Sequence, residues 1–208
     1  VTVALIGSDL RYVVDDRTIL DGISVQASSG RVLAVRGPSG SGKSSLLAIL
    51  GGLIAPTAGT VTLDGAPVTP SSDIGVRRRF GLVLQGYGLV AALTARENVA
   101  IVLQAAAVPR AQVRSRVEAV LERVGLTTVA DHLVEDLSGG QQQRMAVARA
   151  LVTAADVFLA DEPTAELDAE NRGLIVSLLI ESARAGAAVV IASHDPDVVA
   201  ACDDVLNL

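Results

Sequence analysis

The stretch Gly37-Pro-Ser-Gly-Ser-Gly-Lys-Ser44 limits what this chain can fold into more than any other. It follows a short apolar run, Val32–Arg36, and leads into Lys43–Leu50, whose spacing is helical and which stops at Gly51-Gly52. A strand that turns through glycines into a helix points several backbone N–H groups at one spot, and the missing side chains let an oxyanion approach closely. The helix that opens near Lys43 adds its positive end. The pattern G-x-x-x-x-G-K-[ST] is that of a triphosphate cradle, in which Lys43 reaches the β- and γ-phosphates and the Ser44 hydroxyl ligates Mg2+. Gly37, Pro38, Ser39, Gly40, Ser41, Gly42, Lys43, Ser44 and Ser45 are therefore the expected phosphate-binding residues. Average glycine usage gives a chance match in on the order of one per cent of chains this long, and the flanking strand and helix lower that further.

A second half of the same site is expected at Val157-Phe-Leu-Ala-Asp161-Glu162. An apolar strand ending in carboxylates projects them from the C-terminal edge of a sheet, where open α/β sheets bind ligands. Asp161 is placed to hold Mg2+ through water, and Glu162 to polarise an attacking water. Alone the pair is weak evidence, since Asp before a helix is a common cap; beside a phosphate loop it is strong.

The rest of the chain fits an α/β layout. Val1–Tyr12 and Ile19–Ala27 are rich in β-branched residues and broken by Asp15-Asp16 and Asp21-Gly22, which predicts two strands, antiparallel to each other. Strands are expected at 60–65 and 80–84, then helices at 94–103, 109–124 and 141–152. The middle helix is the clearest: Pro109 opens it, Val113, Val117, Val120, Leu121 and Val124 form its stripe, and Gly125 closes it. Val157–Ala160, a helix at 170–185 and Ala187–Ala192 form a strand–helix–strand unit with parallel strands. The expected organisation is one domain, with 1–85 and 153–208 as the α/β core and 86–152 as an inserted helical subdomain.

Composition excludes several partners. The four aromatics, Tyr12, Tyr87, Phe80 and Phe158, cannot build a base-stacking platform. The net charge of −6 comes without a basic stripe, so no nucleic acid is expected. The single cysteine, Cys202, reads as a small buried hydrophobe in a reducing, cytosolic compartment. No run reaches the roughly 18 apolar residues of a membrane span, and no signal peptide is evident. The missing initiator Met and the abrupt end at Leu208 suggest a trimmed fragment.

Glu135-Asp-Leu-Ser-Gly-Gly-Gln-Gln-Gln-Arg144 is a second glycine-rich opening, in front of another helix. Ser138 and Gln141 have the spacing of a capping box, which is one sufficient reading. It does not explain Gly139 and Gly140, which weaken a first turn by roughly 1 kcal/mol each relative to Ala. They do clear a helix N-terminus for an anion.

With "LSGGQ" at Leu137–Gln141, the phosphate loop, "ADEPT" at Ala160–Thr164 and a later His194, the chain resembles the nucleotide-binding domain of ABC transporters over essentially its whole length. The resemblance implies a P-loop NTPase core of mainly parallel sheet with helices on both faces, an N-terminal antiparallel β subdomain and an inserted helical subdomain. It implies ATP and Mg2+ as ligands, and a head-to-tail dimer with a second ABC ATPase subunit in which Ser138, Gly139, Gly140 and Gln141 of one chain cover the γ-phosphate held by the other.

Other positions carry over singly. Gln85 resembles the glutamine that senses Mg2+ and couples to the membrane subunit; on its residues alone it is a polar group at a strand end. His194 resembles the switch histidine on the γ-phosphate, and Asp168 the D-loop aspartate. Tyr12 resembles the aromatic that stacks on adenine, though a plain strand tyrosine is the other reading. The D-loop, Ala165-Glu166-Leu167-Asp168, departs from the usual Ser-Ala-Leu-Asp or Gly-Asn-Leu-Asp, and Gly86-Tyr-Gly88 replaces bulkier residues.

"LTARENV" at Leu93–Val99 is similar to the branch serving lipoprotein release, macrolide-type efflux and cell division, with amino-acid importers the nearest rival. The implied partner is a separately encoded transmembrane permease subunit, which would put this chain on the cytoplasmic face of the membrane. Its docking face is expected on 85–98 and the following helix, through Tyr87, Leu89, Val90 and Leu93. A regulatory ABC ATPase of the cell-division type is the alternative function.

Overall fold

The computed structural model describes residues 3–208. Val1 and Thr2, where the first strand is expected to begin, lie outside them. A four-stranded antiparallel sheet comes first, built from β1 (Ala4–Val14), β2 (Arg17–Ser28), β4 (Ala58–Leu63) and β5 (Ala66–Pro67) in the order β2-β1-β4-β5. A five-stranded parallel sheet follows, from β3 (Val32–Arg36), β6 (Phe80–Val83), β7 (Val157–Asp161), β8 (Ala188–Ala192) and β9 (Asp204–Asn207). Its order is β6-β7-β8-β3-β9. The spacing predicts neither β9 nor the one-turn helix α2 (Ile74–Arg77): both are short and largely exposed.

The apolar runs of β7 and β8 become central strands because both of their faces are covered. Successive residues alternate between two cores. Val157 and Leu159 of β7, with Val190 of β8 and Leu33 of β3, pack with α1 (Lys43–Leu50) and the antiparallel sheet. Phe158 and Ala160, with Val189 and Ile191, pack with the helices on the other face. Those helices are α3 (Ala95–Ala105), α4 (Arg110–Arg123), α5 (Gly139–Leu151) and α6 (Ala169–Arg184). The stripe read from sequence holds: Val117, Val120, Leu121 and Val124 are buried and Val113 is partly so.

Sequence fixes the helix starts locally. Thr94 and Glu97 close a capping box on α3, and Ser138 and Gln141 close one on α5. Helix α5 therefore begins at Gly139, two residues earlier than its apolar spacing predicts, with both glycines inside the first turn. Buried Asn98 pins the segment before α3: its Oδ1 accepts from Val90 N at 2.8 Å, and its Nδ2 faces the carbonyls of Val90, Leu93 and Thr94. A last short helix, α7 (Pro196–Ala200), leads into β9.

Candidate functional site

Four neighbouring parallel strands end at one edge of the sheet, and each delivers part of the site there. The loop after β3 carries Gly37–Gly42, the end of β7 carries Asp161 and Glu162, the end of β8 carries Ser193 and His194, and the end of β6 leads to Gln85. Convergence at the C-terminal edge is what a parallel sheet imposes on such loops.

The loop enters α1 through Gly42, whose φ of 97° suits only glycine. Lys43 is buried, and its Nζ donates to the carbonyls of Gly37 at 2.8 Å and Pro38 at 3.1 Å, so the ammonium is held under the loop. Beside it a cavity of about 310 Å³ is lined by Gly40, Gly42, Lys43, Ser44 and Ser45, with Arg17 and Ile19 from the start of β2. The sequence reading misses Arg17 and Ile19, which only the β1–β2 pairing brings across.

Asp161 is buried, and burial pushes its carboxyl above the usual range, against the pull of the Ser44 hydroxyl. Its Oδ1 and the hydroxyl of Ser41 are buried without partners. Glu162 has a left-handed backbone, φ 46°, an uncommon conformation for a non-glycine residue and one that recurs at functional sites. Its amide donates to Ala192 O at 2.9 Å, and its carboxylate is clasped on both oxygens. His194 Nδ1 lies 2.8 Å from Oε1, and the Ser193 hydroxyl donates to Oε2 at 3.3 Å. Lys43 Nζ stands 4.0 Å from Oε1. Ser193, fully buried, is a further residue absent from the sequence reading; its hydroxyl also accepts from Asp195 N.

A second cavity, of about 400 Å³, joins Ser39, Gln85, Asp161, Glu162 and His194 to Tyr87, Gln143 and Glu166. The loop with Gln85 turns through three left-handed residues, Gly86, Tyr87 and Gly88. Arg149 of α5 grips this turn by donating to the carbonyls of Tyr87 and Gly88. Tyr87 and Leu89 pack inward against the helical core and Leu93 is half-buried, so of the four residues expected on a docking face Val90 alone is exposed. A groove of about 550 Å³ runs between α3 and α4, with Ala100, Val113 and Val117 among its lining and Arg96, Arg110 and Arg114 around it.

The remaining expected site residues do not meet the phosphate loop within one chain. Ser138 and Gly139 are exposed at the tip of α5, and no residue of Ser138–Gln141 lines either cavity among the described residues. Asp168 caps α6, accepting from Asn171 N at 2.8 Å. Tyr12 is half-buried, pairs with Leu20 across the hairpin and packs on the core.

The topology and the strand–loop–helix at β3 define a P-loop NTPase fold. The comparisons narrow this: a model of the ABC transporter family matches residues 20–165, so the chain belongs to that family. An uncharacterised ABC transporter ATP-binding protein of Mycobacterium bovis is 40% identical over 91% of this chain and 58% of its own length. MetN 2, a methionine import ATP-binding protein of Paraburkholderia xenovorans, is 40% identical over 89% of this chain and 50% of its own length. The chain thus spans about half the length of the curated relatives it matches. The dimeric structure of MJ0796, a bacterial ABC transporter cassette, superposes with a TM-score of 0.91 at 32% identity, covering 98% of this chain and 94% of that one. A post-hydrolysis state of the same cassette, bound to ADP and Pi, gives 0.90 at 33% identity.

Proposed function

We propose that this chain is the ATP-binding and ATP-hydrolysing subunit of an ABC transporter, closing head-to-tail with a second copy around ATP to drive a transmembrane permease. The observation that carries the reading is the clasped Glu162 carboxylate, set 4.0 Å from the buried Lys43 ammonium where four strand ends converge. ATP lies with its phosphates over Gly37–Ser45. Lys43 and the loop N–H groups hold the phosphate charge, and Glu162 orients the attacking water and takes its proton. His194 steadies Glu162 and reaches toward the γ-phosphate. Most of the rate gain is positioning and charge stabilisation.

The residues fit Mg2+. Asp161 Oδ1 is a buried oxygen with no hydrogen-bond donor, and the Ser44 hydroxyl faces the same carboxylate. The described residues hold no group of three or more His, Cys, Asp or Glu side chains that would cage a metal alone, which suits an ion shared with phosphate. Ser44, Asp161 and Gln85 would be its protein contacts. When bound, Mg2+ neutralises charge on the β- and γ-oxygens.

Ser138, Gly139, Gly140 and Gln141 act on the neighbour's ATP, which accounts for the exposure of Ser138 and Gly139. Asp168 belongs to the same cross-chain contact, and Tyr12 stacks on adenine. The division into a core of 1–85 and 153–208 and a helical unit of 86–152 is part of the reading. No described helix is long and apolar enough to cross a membrane; we place the chain on the cytoplasmic face, held by the permease against the α3–α4 groove. Leu93–Val99 supports the release, efflux and cell-division branch. The 40% identity to MetN 2 favours the importer branch as a second reading.

The test is nucleotide binding and hydrolysis by Lys43→Ala and Glu162→Gln chains. Lys43→Ala loses tight ATP binding, and Glu162→Gln binds ATP but does not turn it over. Unchanged affinity in the first, or normal turnover in the second, refutes the site.

A further inference from the structure

Glu166 lies between β7 and α6 and lines the cavity shared by Glu162, Gln85 and Gln143. It overhangs the tip of α5. A methyl group on Gly139 would sit 3.3 Å from Glu166 Oε2, and one on Gly140 would sit 3.0 Å from the Glu166 carbonyl oxygen. The two glycines that open α5 are thus what lets this loop lie so close. Among the described residues no Lys, Arg or His pairs with the Glu166 carboxylate, and it accepts no side-chain hydrogen bond. The first turn of α5 has no acidic residue of its own, so Glu166 brings a negative charge from another part of the chain against its positive end.

A second group in the same cavity also lacks a partner. Gln143, on α5 and only 3% exposed, has a buried Nε2 that donates to nothing. A buried donor without an acceptor is costly, so any carboxylate or phosphate oxygen reaching it is favoured.

We propose that Glu166 gates the signature helix. In the ATP-free subunit its carboxylate stands where the neighbour's γ-phosphate must come, and on closure it turns away to the amide of Gln143. The inference rests on the cross-chain role of Ser138–Gln141 proposed above. Two anions cannot share one helix tip at full strength, so the dimer closes only when ATP binding outweighs the displacement of Glu166. Gln143 lowers that cost by giving the carboxylate a donor elsewhere.

The experiment is ATP-driven dimerisation of the hydrolysis-deficient Glu162→Gln chain, by sedimentation, with and without further substitutions. Glu166→Gln keeps shape and exposure and removes the charge. A dimer holds two copies, so its dissociation constant with ATP should fall about 3- to 30-fold, the usual worth of a helix-end charge counted twice. The gap should narrow in high salt. Gln143→Met, checked for folding by its thermal melt, should weaken dimerisation while Glu166 is present and have a clearly smaller effect beside Glu166→Gln, whose neutral carboxamide oxygen is a weaker acceptor. That coupling is something a purely structural glutamine would not show. Equal or weaker dimerisation by Glu166→Gln overturns the gate, as does a Gln143→Met penalty undiminished by Glu166→Gln. If the Glu162→Gln parent itself stays monomeric with ATP, the cross-chain site fails and the gate fails with it.

Discussion

Replacing Asn98 with Ala removes a clamp whose worth follows from its geometry. The side chain is fully buried at the start of α3. Its Oδ1 takes one hydrogen bond from Val90 N, while Nδ2 faces three carbonyls at 3.0 to 3.2 Å and has two hydrogens to give. Three bonds are therefore made at a time. At about 1 kcal/mol net for each, the substitution costs about 3 kcal/mol. For a domain of this size each kcal/mol moves Tm by about 2–4 °C, so a drop of about 6–12 °C is expected in a thermal melt without nucleotide. The segment that Asn98 holds continues from the loop carrying Gln85, so ATP turnover should fall while nucleotide affinity stays within about twofold, or about 0.4 kcal/mol. A Tm shift under about 2 °C would refute the clamp, because it would mean that water replaces all three bonds at no cost.

Gly37→Ala places a methyl 2.4 Å from Ser41 Oγ and 2.9 Å from Leu208 O, so the loop must shift; ATP affinity should fall about tenfold or more by calorimetry, about 1.4 kcal/mol. Arg79 donates to Asp64 and Asp156, and its hydrogen bond holds the Asp64 carboxyl below the usual range. That stabilisation is complete above the unfolded value near about pH 4 and is lost as pH falls through the lower folded one. The Tm deficit of Arg79→Met should therefore be full at neutral pH and shrink in acid; a constant deficit would assign the effect to packing. Burial pushes the Cys202 thiol up to about 11, and its Sγ donates to Val198 O. At neutral pH its alkylation should run roughly a hundredfold slower than that of a free cysteine, because so little thiolate is present.

The phosphate loop, Asp161, Glu162, Gln85 and His194 are legible in the sequence because each stands at or within two residues of the end of an apolar run. A parallel sheet sends all such positions to one edge. What brings them together, the order β6-β7-β8-β3-β9, joins strands far apart in the chain and leaves no local trace. Ser193 and Asn98 escape notice for a related reason: a buried polar residue looks like any other in sequence, and its role is set by partners brought in through the fold. Strand β9 is hidden because four residues alongside β3 at a sheet edge have little apolar pattern to show. The capping box of α5 is legible from Ser138 and Gln141 alone, whereas the approach of Glu166 to Gly139 needs the loop after β7 to fold back. Ser138–Gln141 stay away from the phosphate loop of their own chain, as half of a shared site would, and no pattern within one copy specifies the geometry of two.

The most direct test of a site completed by a second chain is the dependence of ATPase rate on protein concentration at saturating Mg2+ and ATP. If each turnover needs two copies, the total rate rises with the square of concentration at low protein and becomes linear once dimers dominate. Ser138→Arg should lower the rate at every concentration while leaving single-chain ATP binding intact. A rate strictly proportional to protein down to the lowest measurable concentration, untouched by Ser138→Arg, would contradict the account.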